Sequence, residues 1–183
     1  MDWYSIVKFL HITAAIVWLG GGFMLIIMGI RAQRSGDPQQ LMYHLRNTAA
    51  LGVVLFMPAS MLTLVFGLVL SLLWTGFSDL WIIIGLVGAG MTFLTGALFI
   101  KPVGDRIAAM MEKDGVTPAV QMEGAKLLRI AKFDYTVMIV VIADMVLKPG
   151  ESDPAILAAM AAVTVVGALA FLVPWRPAPP VAA

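Results

Sequence analysis

Residues 3–30 read WYSIVKFLHITAAIVWLGGGFMLIIMGI, and this run decides the fold because it is apolar and long enough to cross a bilayer as one helix. Further apolar stretches follow at about residues 49–74, 80–100, 135–147 and 155–175. The first run is too long for a cleaved signal peptide, and no small-residue cleavage site follows a short apolar core, so we expect it to remain in the protein. The sequence therefore predicts an all-α, polytopic membrane bundle of five transmembrane helices.

Composition excludes most other classes of protein. Hydrophobic residues make up 61% of the 183 residues and charged residues 13%, against roughly 45–50% and roughly 25% in soluble domains. Because the chain has no cysteine, it cannot be a disulfide scaffold or hold thiolate metal sites, iron–sulfur clusters or a thiol nucleophile. Two histidines are too few for a His-rich metal site, and a net charge of +1 argues against a nucleic-acid partner. The lipid bilayer is the expected surrounding.

The positions of Lys and Arg predict the orientation. Ten of the 12 lie on one side of the predicted spans: Arg31, Arg34, Arg46, Lys101, Arg106, Lys113, Lys126, Arg129, Lys132 and Arg176. Lys8 and Lys148 fall toward the other side. We therefore expect a multi-pass protein of the bacterial inner (cytoplasmic) membrane, with a periplasmic N-terminus and a cytoplasmic C-terminus.

Helix start signals and composition predict the organisation along the chain. Three pairs combine a capping residue with a proline in the first turn, namely Asp37-Pro38, Thr117-Pro118 and Asp153-Pro154. The polar segments 39–47 and 117–133 are expected to extend spans two and four as helix into the cytoplasm. We expect a four-helix transmembrane core in residues 1–150, an additional fifth helix in residues 151–176, and a disordered Pro/Ala-rich tail in residues 177–183.

His11 lies in span one, about eight residues and roughly 12 Å of helix rise from its start. Trp18 shares its helix face, and Gly22 lies on or beside the same stripe, so small residues leave a groove beside the imidazole. An ionisable side chain at this depth indicates function, because it is costly unless it has a partner. One interpretation is an axial haem ligand. The alternative is a neutral histidine that hydrogen-bonds a neighbouring helix.

The second histidine cannot complete a haem site with the first. His44 lies at the cytoplasmic end of span two, most of a bilayer away from His11, whereas two axial ligands must each approach one iron to within about 2 Å. A haem on His11 would therefore take Met, Lys, water or no ligand on its other side. We expect His44 to be an interfacial residue beside Tyr43.

Asp144 is the one carboxylate well inside a predicted span, and Lys148 follows four residues later on the same helix face. One interpretation is a local ion pair near the periplasmic surface. The other is a proton relay or a counter-charge near the His11 end of the bundle. The 13 methionines are possible ligands for haem iron or copper(I), although methionine more often fills gaps in a core.

The order of several short motifs resembles known membrane families. Lys8-x-x-His11 followed by Trp18 resembles the opening helix of the HemJ-type protoporphyrinogen oxidases. Further similarities to that family are Pro58-Ala59 with Thr63 and Gly67 on a Pro-kinked second helix, and Arg129-Ile130-Ala131 before a last span that closes in Lys148-Pro149. The His-x6-Trp-x-Gly-Gly pattern also resembles copper-resistance-D-like membrane proteins. Over residues 1–150 the chain is most similar to a broad, uncharacterised bacterial integral-membrane family with this layout.

The chain departs from the oxidase pattern at two places. That family has a Pro-Arg pair late in its first helix, where residues 25–28 here read Leu-Ile-Ile-Met. It also has a lysine one turn after the tryptophan that opens its third helix, and none follows Trp81 here. His11 and Lys8 carry over. The resemblance therefore implies a helical scaffold that holds haem b, but it does not extend to porphyrinogen oxidation, and whether the chain is an enzyme stays open.

These observations lead to three hypotheses. The first is a haem-b-binding membrane protein in electron transfer or tetrapyrrole handling, with His11 as the axial metal ligand and Lys8, Trp18 and Gly22 at the cofactor site. The second is an accessory or scaffold subunit without cofactor, whose Gly-rich third and Ala-rich fifth spans pack against other membrane-protein subunits or in a homo-oligomer. The third is copper handling through His11 and methionines.

Overall fold

Five long helices make up most of the computed structural model, which describes residues 2–173. They are α1 (Trp3–Arg34), α2 (Pro38–Thr75), α3 (Leu80–Asp114), α4 (Pro118–Leu147) and α5 (Pro154–Leu172). No strand occurs in this part of the chain, so the all-α prediction is confirmed. All of these helices except α4 are long and apolar enough to cross a membrane; the apolar half of α4 carries Lys132, Asp134 and Asp144. The predicted tail at residues 177–183 lies outside the described residues.

The predicted helix starts are confirmed at the level of hydrogen bonds. The carboxylate of Asp37 accepts a hydrogen bond of 2.8 Å from the amide of Gln39 at the start of α2. At the start of α4, the hydroxyl of Thr117 accepts one of 3.4 Å from the amide of Val120. Helix α5 begins at Pro154 as expected, but Asp153 does not cap it, because its carboxylate instead accepts a hydrogen bond of 3.0 Å from the amide of Gly150. The polar segments before spans two and four are therefore helical, as predicted from their caps.

Helix α3 is longer than predicted. Residues 101–114, which we expected to belong to a connection, continue it to Asp114. Lys101 and Asp105 form an i,i+4 ion pair of 2.6 Å on the exposed face of this extension. Its apolar face is buried against α4 in a cluster of Val103, Ile107, Met111, Val120 and Leu127. The extension ends where Gly115 adopts a φ of 72°, a conformation that glycine enters without steric cost.

Helices α2 and α3 each contain a π-helical turn next to a proline. The α-helical stretches of α2 are Pro38–Leu51 and Met57–Leu70, with π-helical turns at Gly52–Phe56 and Ser71–Thr75. In α3, a π-helical turn at Gly96–Ile100 separates Leu80–Thr95 from Lys101–Asp114. Pro58 and Pro102 each follow two residues after such a turn. Proline has no N–H group to donate to the carbonyl four residues earlier. Beside each proline, the backbone N–H at the end of the π-helical turn instead donates to the carbonyl five residues earlier.

The first four helices form an antiparallel ring. Helix α1 packs against α2 and α4, and α3 packs against the same two, so α2 and α4 stand diagonally opposite each other. We call the end where α1 and α3 begin the N-terminal end, and the opposite end, which holds Arg31, Arg34 and Arg46, the basic end. Helix α5 packs on the outside of α4. Many large apolar side chains of the helices are exposed, as expected for helices that face lipid.

Helix α5 is held to α4 by a close contact and by a capping arginine. A Cβ atom on Gly167 would lie 2.7 Å from Cγ2 of Thr136, so only a glycine allows this approach. Near the basic end, the guanidinium of Arg129 donates hydrogen bonds of 2.9 Å to the carbonyl of Phe171 and 3.2 Å to that of Leu172. These bonds satisfy carbonyls that lack a partner at a helix C-terminus.

Candidate functional site

The ring of four helices encloses two cavities, stacked along its axis. The N-terminal cavity has a volume of about 470 Å³, and the basic-end cavity about 310 Å³. Both fall in the range of small-molecule sites, which is roughly 300–1,000 Å³. Trp18, Thr92 and Met138 line both cavities and therefore form a shared wall between them.

The π-helical turns all border these cavities. Gly52 and Phe56 of the first turn, and Gly96 and Ile100 of the third, line the basic-end cavity. Ser71 and Thr75 of the second turn line the N-terminal cavity. Since π-helical turns are frequent at functional sites, their position beside both cavities favours these cavities as candidate sites.

His11 lies in the wall of the N-terminal cavity, with its ring held against α2. Its Nδ1 lies 2.9 Å from the backbone carbonyl oxygen of Thr63. A carbonyl only accepts hydrogen bonds, so Nδ1 carries the proton and the lone pair of the neutral ring is on Nε2. A histidine that ligates a metal commonly has this arrangement, in which the other ring nitrogen donates to a carbonyl.

Gly67 makes this position of the imidazole possible. A Cβ atom there would lie 3.1 Å from Cε1 and 3.4 Å from Nδ1 of His11. The distance of 3.1 Å is shorter than most real contacts of a Cβ atom, so a larger side chain would push the ring away from the carbonyl of Thr63. Gly67 is therefore a residue of the candidate site around His11. The sequence indicated it only as part of a motif shared with the oxidase family.

Two lysines lie at the outer mouth of the N-terminal cavity. Lys8 and Lys148 are both exposed and both line it. The Nζ of Lys8 lies 5.5 Å from the centroid of the Tyr4 ring, and that of Lys148 lies 4.9 Å from the centroid of Trp81. Neither lysine has an ion pair within residues 2–173. The structure therefore brings together His11, Lys8, Lys148 and Trp18.

The structure places Gly22 elsewhere. It lines the basic-end cavity, and a Cβ atom on it would lie 3.9 Å from the ring of Tyr135. The expected groove that joins Gly22 to His11 is interrupted, because the indole of Trp18 lies between the two levels of the ring.

The expected ion pair between Asp144 and Lys148 is absent. Asp144 is fully buried, and neither of its carboxylate oxygens has a hydrogen-bond partner among the described residues. Its side chain instead packs beside Gly85 of α3, where a Cβ atom would lie 3.2 Å from Oδ2. Lys148 ends α4 with a φ of 48° and directs its ammonium over Trp81. The left-handed backbone at Lys148 turns its side chain away from the helix face that carries Asp144.

His44, which we expected to be an interfacial residue beside Tyr43, turns its ring towards α1. Its Nε2 lies 3.4 Å from the hydroxyl of Thr48 and would lie 2.9 Å from a Cβ atom on Gly29 of α1. Its Nδ1 is buried and has no hydrogen-bond partner in the part of the chain that the structure describes. Tyr43, by contrast, is 69% exposed. The glycine on α1 creates the space that lets the imidazole turn into the ring.

Asp134 was missed by the sequence analysis and also faces the basic-end cavity. It is 9% exposed, and its Oδ1 has no hydrogen-bond partner within the described part of the chain. The predicted cytoplasmic extension ended at residue 133 and the predicted fourth span began at residue 135, so this carboxylate was assigned to neither. The sequence did carry a signal for a buried carboxylate, because Asp134 directly precedes the apolar run at residues 135–147. No group of three or more His, Asp or Glu side chains that could hold a metal ion occurs in residues 2–173.

Comparison with known proteins gives one match. A family model described as "Predicted integral membrane protein (DUF2269)" matches residues 5–149. No curated protein and no solved structure matches the chain. The matched residues cover the four helices of the ring, and α5 follows them.

Proposed function

We propose a function for this chain from the premise that it belongs to the DUF2269 family of predicted integral membrane proteins. It binds haem b in the N-terminal cavity, with His11 as axial ligand, and acts in electron transfer or tetrapyrrole handling. The observation that carries this proposal is the orientation of His11, whose Nδ1 is fixed by Thr63 so that Nε2 is available to a metal.

The other residues of the cavity suit a flat, amphipathic macrocycle that carries carboxylates. Its lining is mostly apolar, with Ile12, Leu64, Ile82 and Val141 among the contributing side chains. The two unpaired lysines at the mouth, Lys8 and Lys148, match the negative charge of the haem propionates. Met138 and Met145 line the same cavity and are candidates for the second axial ligand. When bound, haem b would supply one-electron redox chemistry. The chain would hold it through His11, surround it with apolar side chains and neutralise its carboxylates with Lys8 and Lys148.

The proposal includes five membrane crossings in the bacterial inner membrane. Helix α4 crosses as the fourth, because its two buried carboxylates, Asp134 and Asp144, are shielded within the ring from lipid. The basic end faces the cytoplasm, since nearly all Lys and Arg residues lie toward it. This places the N-terminal cavity and its two lysines on the periplasmic side.

The decisive experiment is an absorption spectrum of the detergent-purified protein, before and after addition of haem. We expect a Soret band that is lost in His11→Ala and restored in that variant by free imidazole, which occupies the vacated ligand position. Circular dichroism of the variant checks that its helices remain intact. Absence of a Soret band in the wild-type protein, even after addition of haem, would refute the proposal; a stoichiometric protein partner in place of haem would favour the accessory-subunit hypothesis.

A further inference from the structure

The basic-end cavity contains two buried polar groups that have no hydrogen-bond partner within residues 2–173. They are Nδ1 of His44 on α2 and Oδ1 of Asp134 on α4. Buried polar groups without partners are rare in proteins, because each costs free energy unless it is hydrogen-bonded. Both groups line the same cavity, so a molecule bound there could bond to both.

Several other polar side chains of this cavity already have partners. Ser60 and Thr92 donate their hydroxyl protons to carbonyls of their own helices, at 3.0 Å and 2.9 Å. Lys101 is paired with Asp105 at the mouth. Of the polar groups that line it, His44 Nδ1 and Asp134 Oδ1 are buried and lack a partner among the described residues, so they are the groups that a ligand would address.

The two groups are too far apart to bond directly. His44 lies at the level of Leu128 on α4, since both side chains lie beside Gly29 of α1. Asp134 is six residues further along α4, which corresponds to about 9 Å of helix rise. The helices that carry the two groups are also diagonally opposite in the ring. A bridging ligand therefore needs polar atoms at opposite edges.

The walls of the cavity indicate the shape and polarity of that ligand. Trp18, Phe56, Phe93 and Tyr135 contribute aromatic rings to the lining, and aromatic walls favour a flat conjugated ring between them. The imidazole of His44, with Thr48 at its other nitrogen, can donate from Nδ1, and a protonated carboxyl of Asp134 can donate from oxygen. Arg46 lines the same cavity and forms no ion pair with another described residue, so its positive charge disfavours a cationic ligand.

We propose that the basic-end cavity binds a membrane-soluble quinone, whose two ring carbonyl oxygens accept hydrogen bonds from His44 and Asp134. The flat ring lies among the aromatic side chains, and the two para carbonyls point to opposite helices. This site is separate from the haem proposal, because it uses none of the residues at the mouth of the N-terminal cavity. Each proposal can fail while the other stands.

The test is a binding titration with decylubiquinone on the full-length protein in detergent micelles, read by quenching of tryptophan fluorescence. Trp18 in the cavity wall provides the signal. We expect saturable quenching in the wild type and affinities about tenfold weaker in Asp134→Leu and His44→Leu, the loss typical of one hydrogen bond in a dry site. Asp134→Asn, whose amide still donates, should retain most of the affinity and guards against a folding defect in the leucine variant.

A matched control is Asp114→Leu, which makes the same change at an exposed position outside both cavities. It should bind decylubiquinone like the wild type. Quenching that does not saturate, or that is equal in all variants, would show simple partition into the micelle and overturn the proposal. Saturable binding of dodecylamine in place of the quinone would also overturn it and assign the cavity to a cationic amphiphile.

Discussion

At the scale of single residues, the depth of His11 could be predicted from sequence, but its partner could not. Its place eight residues into an apolar span follows from counting. The carbonyl of Thr63 that orients it belongs to another helix, 52 residues away along the chain. The same limit applies to His44, since nothing in its own segment reveals that Gly29 leaves space for an imidazole. Asp134 could have been found from sequence, because it borders an apolar run.

The contact between Gly67 and His11 leads to a residue-scale prediction. In Gly67→Val, the added carbons overlap the imidazole, push its Nδ1 away from Thr63 and misplace Nε2. Overpacking of this kind costs about 1–3 kcal/mol, so we expect haem affinity to fall by about tenfold or more. The measurement is a haem titration followed at the Soret band.

Gly20→Val provides the matched control for this prediction. It makes the same change on the facing helix at an exposed glycine that has no atom of another residue within 4 Å of its Cβ position. It should titrate like the wild type. Unchanged haem affinity in Gly67→Val would show that Gly67 does not contribute to the haem site.

At the scale of helices, caps and apolar runs predicted where most helices begin, whereas the extension of α3 was missed. Its residues 101–114 are polar enough to resemble a connection, although Lys101 and Asp105 are spaced for a helical ion pair and Gly115 is a typical stop. The π-helical turns could not be predicted, because a proline inside an apolar run indicates a disturbed helix without stating its form. Gly85 and Gly88 allow α3 to approach α4 closely, since Cβ atoms there would overlap Met145 and Val141 of α4.

The close approach of α4 and α5 leads to a prediction at this scale. Gly167→Ile should lower the stability of the protein by about 1–3 kcal/mol, because the new side chain overlaps Thr136 and forces the two helices apart. Thermal unfolding in detergent, followed by circular dichroism, measures the effect. Ala162→Ile on an exposed face of α5 should leave the midpoint unchanged. Equal midpoints for the two variants would mean that α5 does not depend on this contact.

At the scale of the whole molecule, the all-helical membrane architecture followed from apolar run lengths alone. Run length is a direct measure of what crosses a bilayer. The diagonal placement of α2 and α4 and the two cavities inside the ring depend on which helix faces meet, and a weakly amphipathic sequence does not reveal this. Orientation rests on the distribution of Lys and Arg and remains a prediction.

The lack of cysteine makes that orientation directly testable. In intact spheroplasts, Ser152→Cys in the loop between α4 and α5 should react with a membrane-impermeant maleimide. Glu112→Cys, exposed near the end of α3 at the basic end, should react only after the membrane is permeabilised. The reverse pattern would place the N-terminus in the cytoplasm. Labelling of both sites in intact spheroplasts would contradict the arrangement of α3 and α4 as successive crossings.

The wall formed by Trp18, Thr92 and Met138 has a thermodynamic consequence for the two cavities. A molecule seated on either side of this partition fixes the rotamers of the same three side chains. The first ligand to bind bears the entropic cost of ordering these side chains. The second ligand then binds to side chains that are already ordered. Where both occupants order these side chains, linkage makes the effect reciprocal, so we expect a ligand in one cavity to shift the titration of the other by the same factor in both directions.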